Sequence, residues 1–209
     1  AIATLGTAVL PNQVQASTIV LNSGQVLGNP GTPSQTDSNI TYWTKGIAVS
    51  PLSPPFTAAD FLKAQGIGCS GPDICGSAEV VAPHPAWIPS LPNAPDARWI
   101  NWKAGPSPSF DGSLAASVLY AYRFNVPEST INSAAIEMYW AVDDILGEYT
   151  AANANGGPGP YFPDPNQIGV YINGHALGSS FSGAGRFPEY SASQSIPAGF
   201  LNPGSNNWL

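Results

Sequence analysis

Two stretches decide the fold: "SVLYAYRFNV" (residues 117–126) and "SAAIEMYWAVDD" (residues 133–144). Side chains alternate between the faces of an extended chain. In the first stretch, Val118, Tyr120, Tyr122, Phe124 and Val126 therefore share one face. In the second, Ala134, Ile136, Met138, Trp140 and Val142 do the same. The turn "PEST" (127–130) lies between them. Two apolar faces so closely linked predict strands that build much of a sandwich core, with Trp140 inside it.

Working outward, Gly169–Ile172 reads as a strand followed by a hairpin turn at Asn173-Gly174. Tyr190–Ile196 reads as another. In "FLNPGSNNWL" (200–209) a turn leads into Asn207-Trp208-Leu209, a strand just starting. Upstream, Val14–Leu21 and Ile40–Trp43 read as strands, and the rest of 22–115 mostly as loop. One or two helical turns are predicted over Thr57–Ala64, capped by Thr57. "APHPAWIPSLPNAPDARWINW" (82–102) is too rich in proline for a central strand before Ala97. The first ten residues, "AIATLGTAVL", carry no charge and are small or apolar on both faces. Such a strand suits burial on both sides and invites aggregation if exposed.

The expected fold is all-β: an antiparallel sandwich (jelly-roll) with long Pro/Gly-rich loops. Residues 1–17 form an N-terminal extension and residues 18–209 a single domain. The 22 glycines and 22 prolines could signal disorder, but 43% hydrophobic and 11% aromatic residues argue for a folded core. Charged residues make up only 9%, against roughly 25% in ordinary soluble domains; neutral surfaces of this kind point to an extracellular protein. The net charge is -7, and the six cations are spread singly along the chain. With no basic patch, nucleic-acid binding and polybasic membrane attachment are not expected. No apolar run is long enough for a membrane span, and "AIATLG" reads as a processed N-terminus. Cys69 and Cys75 flank the turn-forming "SGPDI". A disulfide closing this loop is the expected reading, which implies an oxidising compartment.

Catalytic constellations are sparse. His84 and His175 have no G-x-S-x-G elbow beside them. Asp143 and Asp144 are adjacent, so a regular strand points them to opposite faces, unsuited to flanking one glycosidic bond. With Asp37 and Asp164, also in or near long loops, they are candidate ligands for a structural calcium ion, set against the plainer reading that Asp143 and Asp144 terminate a strand. No other cofactor is expected. Arg98, Trp99, Trp102, Tyr149 and Asn173 combine aromatic faces with hydrogen-bonding groups in loops or at strand ends, which makes them candidate glycan contacts. Trp99 and Trp102 fall on opposite faces of a regular strand, so one of them is expected to be buried.

"ARWINW" (97–102), "YAYRFNVP" (120–127), "IEMYWAVDD" (136–144), "VYINGHAL" (170–177) and "IPAGFLNPGSNNWL" (196–209) together resemble the galactose-binding-like β-sandwich (jelly-roll) domain. They are most similar to its versions in bacterial secreted proteins that carry a PEP-CTERM sorting tail. "VLNSG" and "NITYWTKGIAV" resemble the opening strands, so the likeness runs over roughly 18–209. Two departures stand out. The sorting tail is absent, and the family's last strand, which follows "N-x-L", stops here at Leu209.

The resemblance therefore implies a domain one strand short at Asn207, Trp208 and Leu209, with a surplus strand carrying Ile2, Thr4, Leu5, Ala8, Val9 and Leu10. That strand could close its own sandwich or a neighbour's, or the polypeptide could simply have been shortened. The leading expectation is a non-enzymatic, secreted structural subunit. It polymerises head-to-tail with copies of itself by donor-strand complementation, using Asn207–Leu209 as acceptor edge. The alternative is a carbohydrate-binding module of a cell-surface protein, with extracellular polysaccharide as its partner.

Overall fold

A computed structural model describes residues 17–45, 55–83, 85, 87–102, 118–142, 145–146, 168–181, 183–184 and 189–209. The fold is all-β. Its elements run β1 (Gln25–Val26), β2 (Asn29–Pro30), β3 (Thr36–Thr44), α1 (Ala58–Ala64), β4 (Ile74–Val80), β5 (Ile100–Asn101), β6 (Val118–Val126), β7 (Ala134–Trp140), β8 (Ile145–Leu146), β9 (Tyr171–Ile172), β10 (His175–Ala176), β11 (Gly183–Ala184), β12 (Tyr190–Ile196) and β13 (Ser205–Trp208). The largest sheet has five antiparallel strands in the order β13-β6-β3-β4-β5. β7 and β12 form a second antiparallel sheet, seven residues paired to seven. Three two-stranded ribbons, β1-β2, β9-β10 and β8-β11, complete the pairing.

The alternation predicted for β6 holds over its second half, where Tyr122, Phe124 and Val126 turn inward while Arg123 and Asn125 are exposed. Over the first half both faces are covered. Ala121, on the opposite face, is buried with Trp43 and Ala64, because α1 packs across β3 and β6 there. A second apolar cluster gathers Trp140, Val170, Ile172, Leu177, Phe181 and Ile196. Trp208 packs against the first cluster and its neighbour Leu209 against the second. β13 is thus covered on both faces, which fits a strand with apolar residues at adjacent positions.

Asp37 explains an irregularity in β3. Its carboxylate is buried and accepts four backbone N–H groups: Gly24 (2.5 Å) and Gln25 (3.2 Å) on one oxygen, Asn39 (2.7 Å) and Ile40 (3.0 Å) on the other. The second pair folds the strand on itself in an Asx turn. The β3–β4 register shifts between Thr36 and Thr41 at this place. The first pair fastens the start of β1 to β3. Upstream of it, residues 17–21 form no strand, in contrast to the sequence expectation for Val14–Leu21. They run past the body with Val20 73% exposed, held by a Ser17 hydroxyl bond to Glu128 and by Arg98 N–H to Ser23 O (2.9 Å).

α1 begins as predicted at Thr57, whose side chain and Asp60 form a reciprocal capping box. Seven residues are too few for a self-sustaining helix, so tertiary ties hold it. The Thr41 hydroxyl donates to Ala64 O (2.6 Å). Cys69 and Cys75 form the expected disulfide, with Cα atoms 6.3 Å apart. It closes a loop in which the Asp73 carboxylate meets Lys63 Nζ (2.9 Å) and Trp43 Nε1 (2.9 Å). The Lys63 ammonium also lies 4.7 Å from the centre of the Trp43 ring, a cation–π contact.

Hydrogen bonding to Lys63, then to Trp43, holds the Asp73 carboxyl below its ordinary pKa. A carboxyl lowered in the folded chain contributes stability that is complete above its unfolded value and lost as pH falls through the folded one. Asp73→Asn should therefore lower the melting temperature at neutral pH. The gap to the parent chain should begin to narrow as pH falls below about 4 and close only below the lowered folded value. Thermal melts of the two chains across an acid series check this.

Candidate functional site

The strand edges are where a β protein of this type can accept another chain. β13 is one edge of the five-stranded sheet. Its inner side pairs with β6, and Leu209 continues the ladder by exchanging both backbone bonds with Tyr122 (2.9 and 2.7 Å). On the outer side, the β9-β10 turn meets Trp208. The Asn173 N–H donates to Trp208 O (2.9 Å), and Trp208 N–H donates to Asn173 Oδ1 (2.9 Å). Asn173 can do this because it sits at φ 50° and Gly174 follows at φ 82°, the left-handed pair of a tight hairpin.

The Asn173 amide nitrogen is also committed, to Phe200 O (2.8 Å) and Asn207 Oδ1 (2.7 Å). Asn207 is wholly buried, and its side chain makes all four bonds an amide can make. Its Oδ1 accepts from Asn173 and from Asn202 N–H (2.7 Å); its Nδ2 donates to Asn202 O (3.1 Å) and Ser205 O (3.0 Å). This network joins β13, the β9-β10 turn and the 3-10 turn Ala198–Phe200. It occupies both backbone groups that Trp208 presents to the outside.

The second sheet differs. The far side of β12 is approached by the 3-10 turn Ser179–Phe181, and Gly178 N–H donates to Gln194 Oε1 (3.0 Å). β7 pairs with β12 alone; among the described residues no strand lies on its other edge. Along it, Ala134, Ile136 and Met138 pack inward, while Ala135 and Glu137 are exposed. The strand ends at Trp140, 5% exposed and stacked on Tyr190 (5.9 Å, 21°). Its Nε1–H is buried and has no hydrogen-bond partner among the described residues. A buried donor without a partner is unfavourable by about 1–3 kcal/mol.

Other sequence-predicted site residues have partners of their own. Trp99 stacks on Trp87 (4.5 Å) and donates from Nε1 to Ile88 O (2.8 Å). Trp102 meets Tyr42 edge-on (6.4 Å); both predicted tryptophans are half-buried, rather than one in and one out. Arg98 Nη1 donates to Pro95 O (2.7 Å) and Ala97 O (2.9 Å). Asn173 serves β13 as described. Asp37 uses both carboxylate oxygens on backbone N–H groups. Tyr149, Asp143, Asp144, Asp164 and the strand carrying Ile2, Thr4, Leu5, Ala8, Val9 and Leu10 lie outside the described residues. Among the described residues, no group of three His, Cys, Asp or Glu side chains is placed to hold a metal ion, and no helix is long and apolar enough to cross a membrane.

The open β7 edge was not legible in the sequence. Period-two alternation identifies a strand and its inward face, but not which neighbours fill its edges. No protein-family model, curated protein or solved structure matches the chain.

Asn207→Ala should destabilise the chain by about 3 kcal/mol or more, because it strands several buried backbone and amide groups at once. Asn207→Asp keeps the shape but cannot donate to Asn202 O and Ser205 O, and should be destabilised as well. Urea unfolding at constant m-value measures both.

Proposed function

We propose that this chain is a non-enzymatic, secreted structural subunit that self-assembles into an extracellular filament or sheath. Strand Ala1–Leu10 of one copy adds to the β7 edge of the next. The observation that carries this reading is the edge of a seven-residue strand that, among the described residues, has no neighbour beyond its one partner strand. Isolated two-stranded sheets are marginal, and a further strand stabilises them. Ten charge-free residues are long enough to cover seven, and their backbone needs no particular side chain to pair.

The acceptor is placed on β7 rather than at Asn207, Trp208 and Leu209, since Asn173 already occupies the outer backbone groups of Trp208. The disulfide fits an oxidising, extracellular setting. Low charge fits a protein that lives in a packed assembly. The galactose-binding-like resemblance supports a sandwich whose second sheet is wider than two strands.

Ser17 bonds to Glu128, so the extension leaves the described body close to the β6–β7 turn. The linker 11–16 can span roughly 20 Å. Insertion into the same chain and into a neighbour are both within reach, and the experiment must separate them. Sedimentation and electron microscopy of the native chain should show head-to-tail polymers. A chain lacking residues 1–10 should be monomeric and should bind a synthetic Ala1–Leu10 peptide. A full-length chain that stays monomeric at high concentration would overturn assembly, and peptide binding to the truncated form would then show closure within one molecule.

A further inference from the structure

We propose that strand Ala1–Leu10 enters the β7 edge antiparallel and in a single register. Thr4 then lies opposite Trp140 and Leu10 opposite Ala134, and a hydrogen bond between Thr4 and Trp140 sets that register. The inference rests on β7 as the acceptor edge and adds which residues meet there.

The unpaired indole of Trp140 is the starting point. Trp140 ends β7 on its inward face, with Ala134, Ile136 and Met138 packed against the same cluster. Its ring stacks on Tyr190, its cross-strand partner in β12. The other buried side chains of the cluster are all hydrocarbon, so none of them can accept from the buried Nε1–H. Buried donors in folded proteins are almost always paired. The position beside Trp140 on the outer edge of β7 has no strand neighbour among the described residues. An inward-facing residue there would bring its Cβ within about 4.5–5.5 Å of that of Trp140.

Sequence then selects the register. Every strand pair of the described fold is antiparallel. Within Ala1–Leu10, four antiparallel registers cover all seven residues of β7, and they set Ala1, Ile2, Ala3 or Thr4 opposite Trp140. Of these four, Thr4 alone has a side chain that accepts a hydrogen bond. The same register matches size along the inward face. Gly6 falls opposite Met138 and Ala8 opposite Ile136, while Leu10 falls opposite Ala134, the small residue of that face. Large side chains meet small ones, as close packing requires. A slip of one residue turns the other set inward. It would set Leu5 against Met138 and bury the Thr7 hydroxyl against Ile136.

Cysteine cross-linking in the full-length chain tests the register. Ala135 is exposed on the outward face of β7, and the proposed register sets Val9 opposite it. Under mild oxidation, Ala135→Cys should link to Val9→Cys and not to Leu5→Cys or Thr7→Cys, since a disulfide needs Cα atoms within about 7 Å. Peptide mass mapping reads the bond whether it forms within one molecule or between two. The Thr4 hydroxyl is tested separately by Thr4→Val, which keeps the shape. The melting temperature of the full-length chain should fall by roughly 2–4 °C for the lost hydrogen bond, and Thr4→Ser should restore it. Linkage to Leu5→Cys or Thr7→Cys in place of Val9→Cys would overturn the register while leaving β7 as the acceptor; linkage to none of the three would overturn both. A Thr4→Val chain that melts with the parent would overturn the role given to Thr4.

Discussion

The buried amide of Asn207 is the constraint on which the arrangement of edges depends. A primary amide in a dry interior must find two donors and two acceptors. Here they are drawn from Asn173 in the β9-β10 turn, Asn202 in the loop before β13 and Ser205 at the start of β13. Satisfying that one side chain fixes where the β9-β10 turn sits. Once there, Asn173 bonds both outward groups of Trp208. The outward backbone groups of Trp208 are thereby taken, while β7 and β12, each paired only with the other, keep an outer edge with no strand neighbour among the described residues.

The same physics explains what could be read beforehand. β6 and β7 were legible because large apolar and aromatic side chains alternate along them; β12 shows the same period more faintly, with Tyr190, Ala192 and Ile196 set against Ser191, Ser193 and Ser195. The Asn173-Gly174 turn was legible because both residues tolerate positive φ. The α1 start was legible from Thr57 and Asp60. β4 was not, because "ICGSAEV" offers small residues where a strand signal is sought. Its glycine has a packing reason: a Cβ on Gly76 would lie 3.0 Å from the Tyr42 hydroxyl. The bulge at Asp37 was hidden for another reason. An aspartate in a polar stretch looks solvated until four backbone N–H groups converge on it. At the candidate site, the resemblance to a family strand order pointed to residues 207–209 as an edge in need of a partner. Only the position of Asn173, far away in sequence, reveals that the edge is met.

Low charge, a disulfide-closed loop and a short helix pinned by Lys63, Asp73 and Trp43 fit the extracellular setting proposed above. The helix does more than cover one face of the large sheet. Together with the β9-β10 turn that Asn207 positions, it lines an open cleft walled by Phe56, Phe61 and Leu62.

Amide hydrogen exchange along β7, compared between the full-length chain in its assembled form and the chain lacking residues 1–10, tests the central claim most directly. An added strand would protect the outward-facing amides of β7 in the assembly, and removing residues 1–10 would release them. The Trp208 amide, held by Asn173, would stay protected in both. Equal protection of β7 in the two forms, or a change confined to Trp208 and Leu209, would contradict the account.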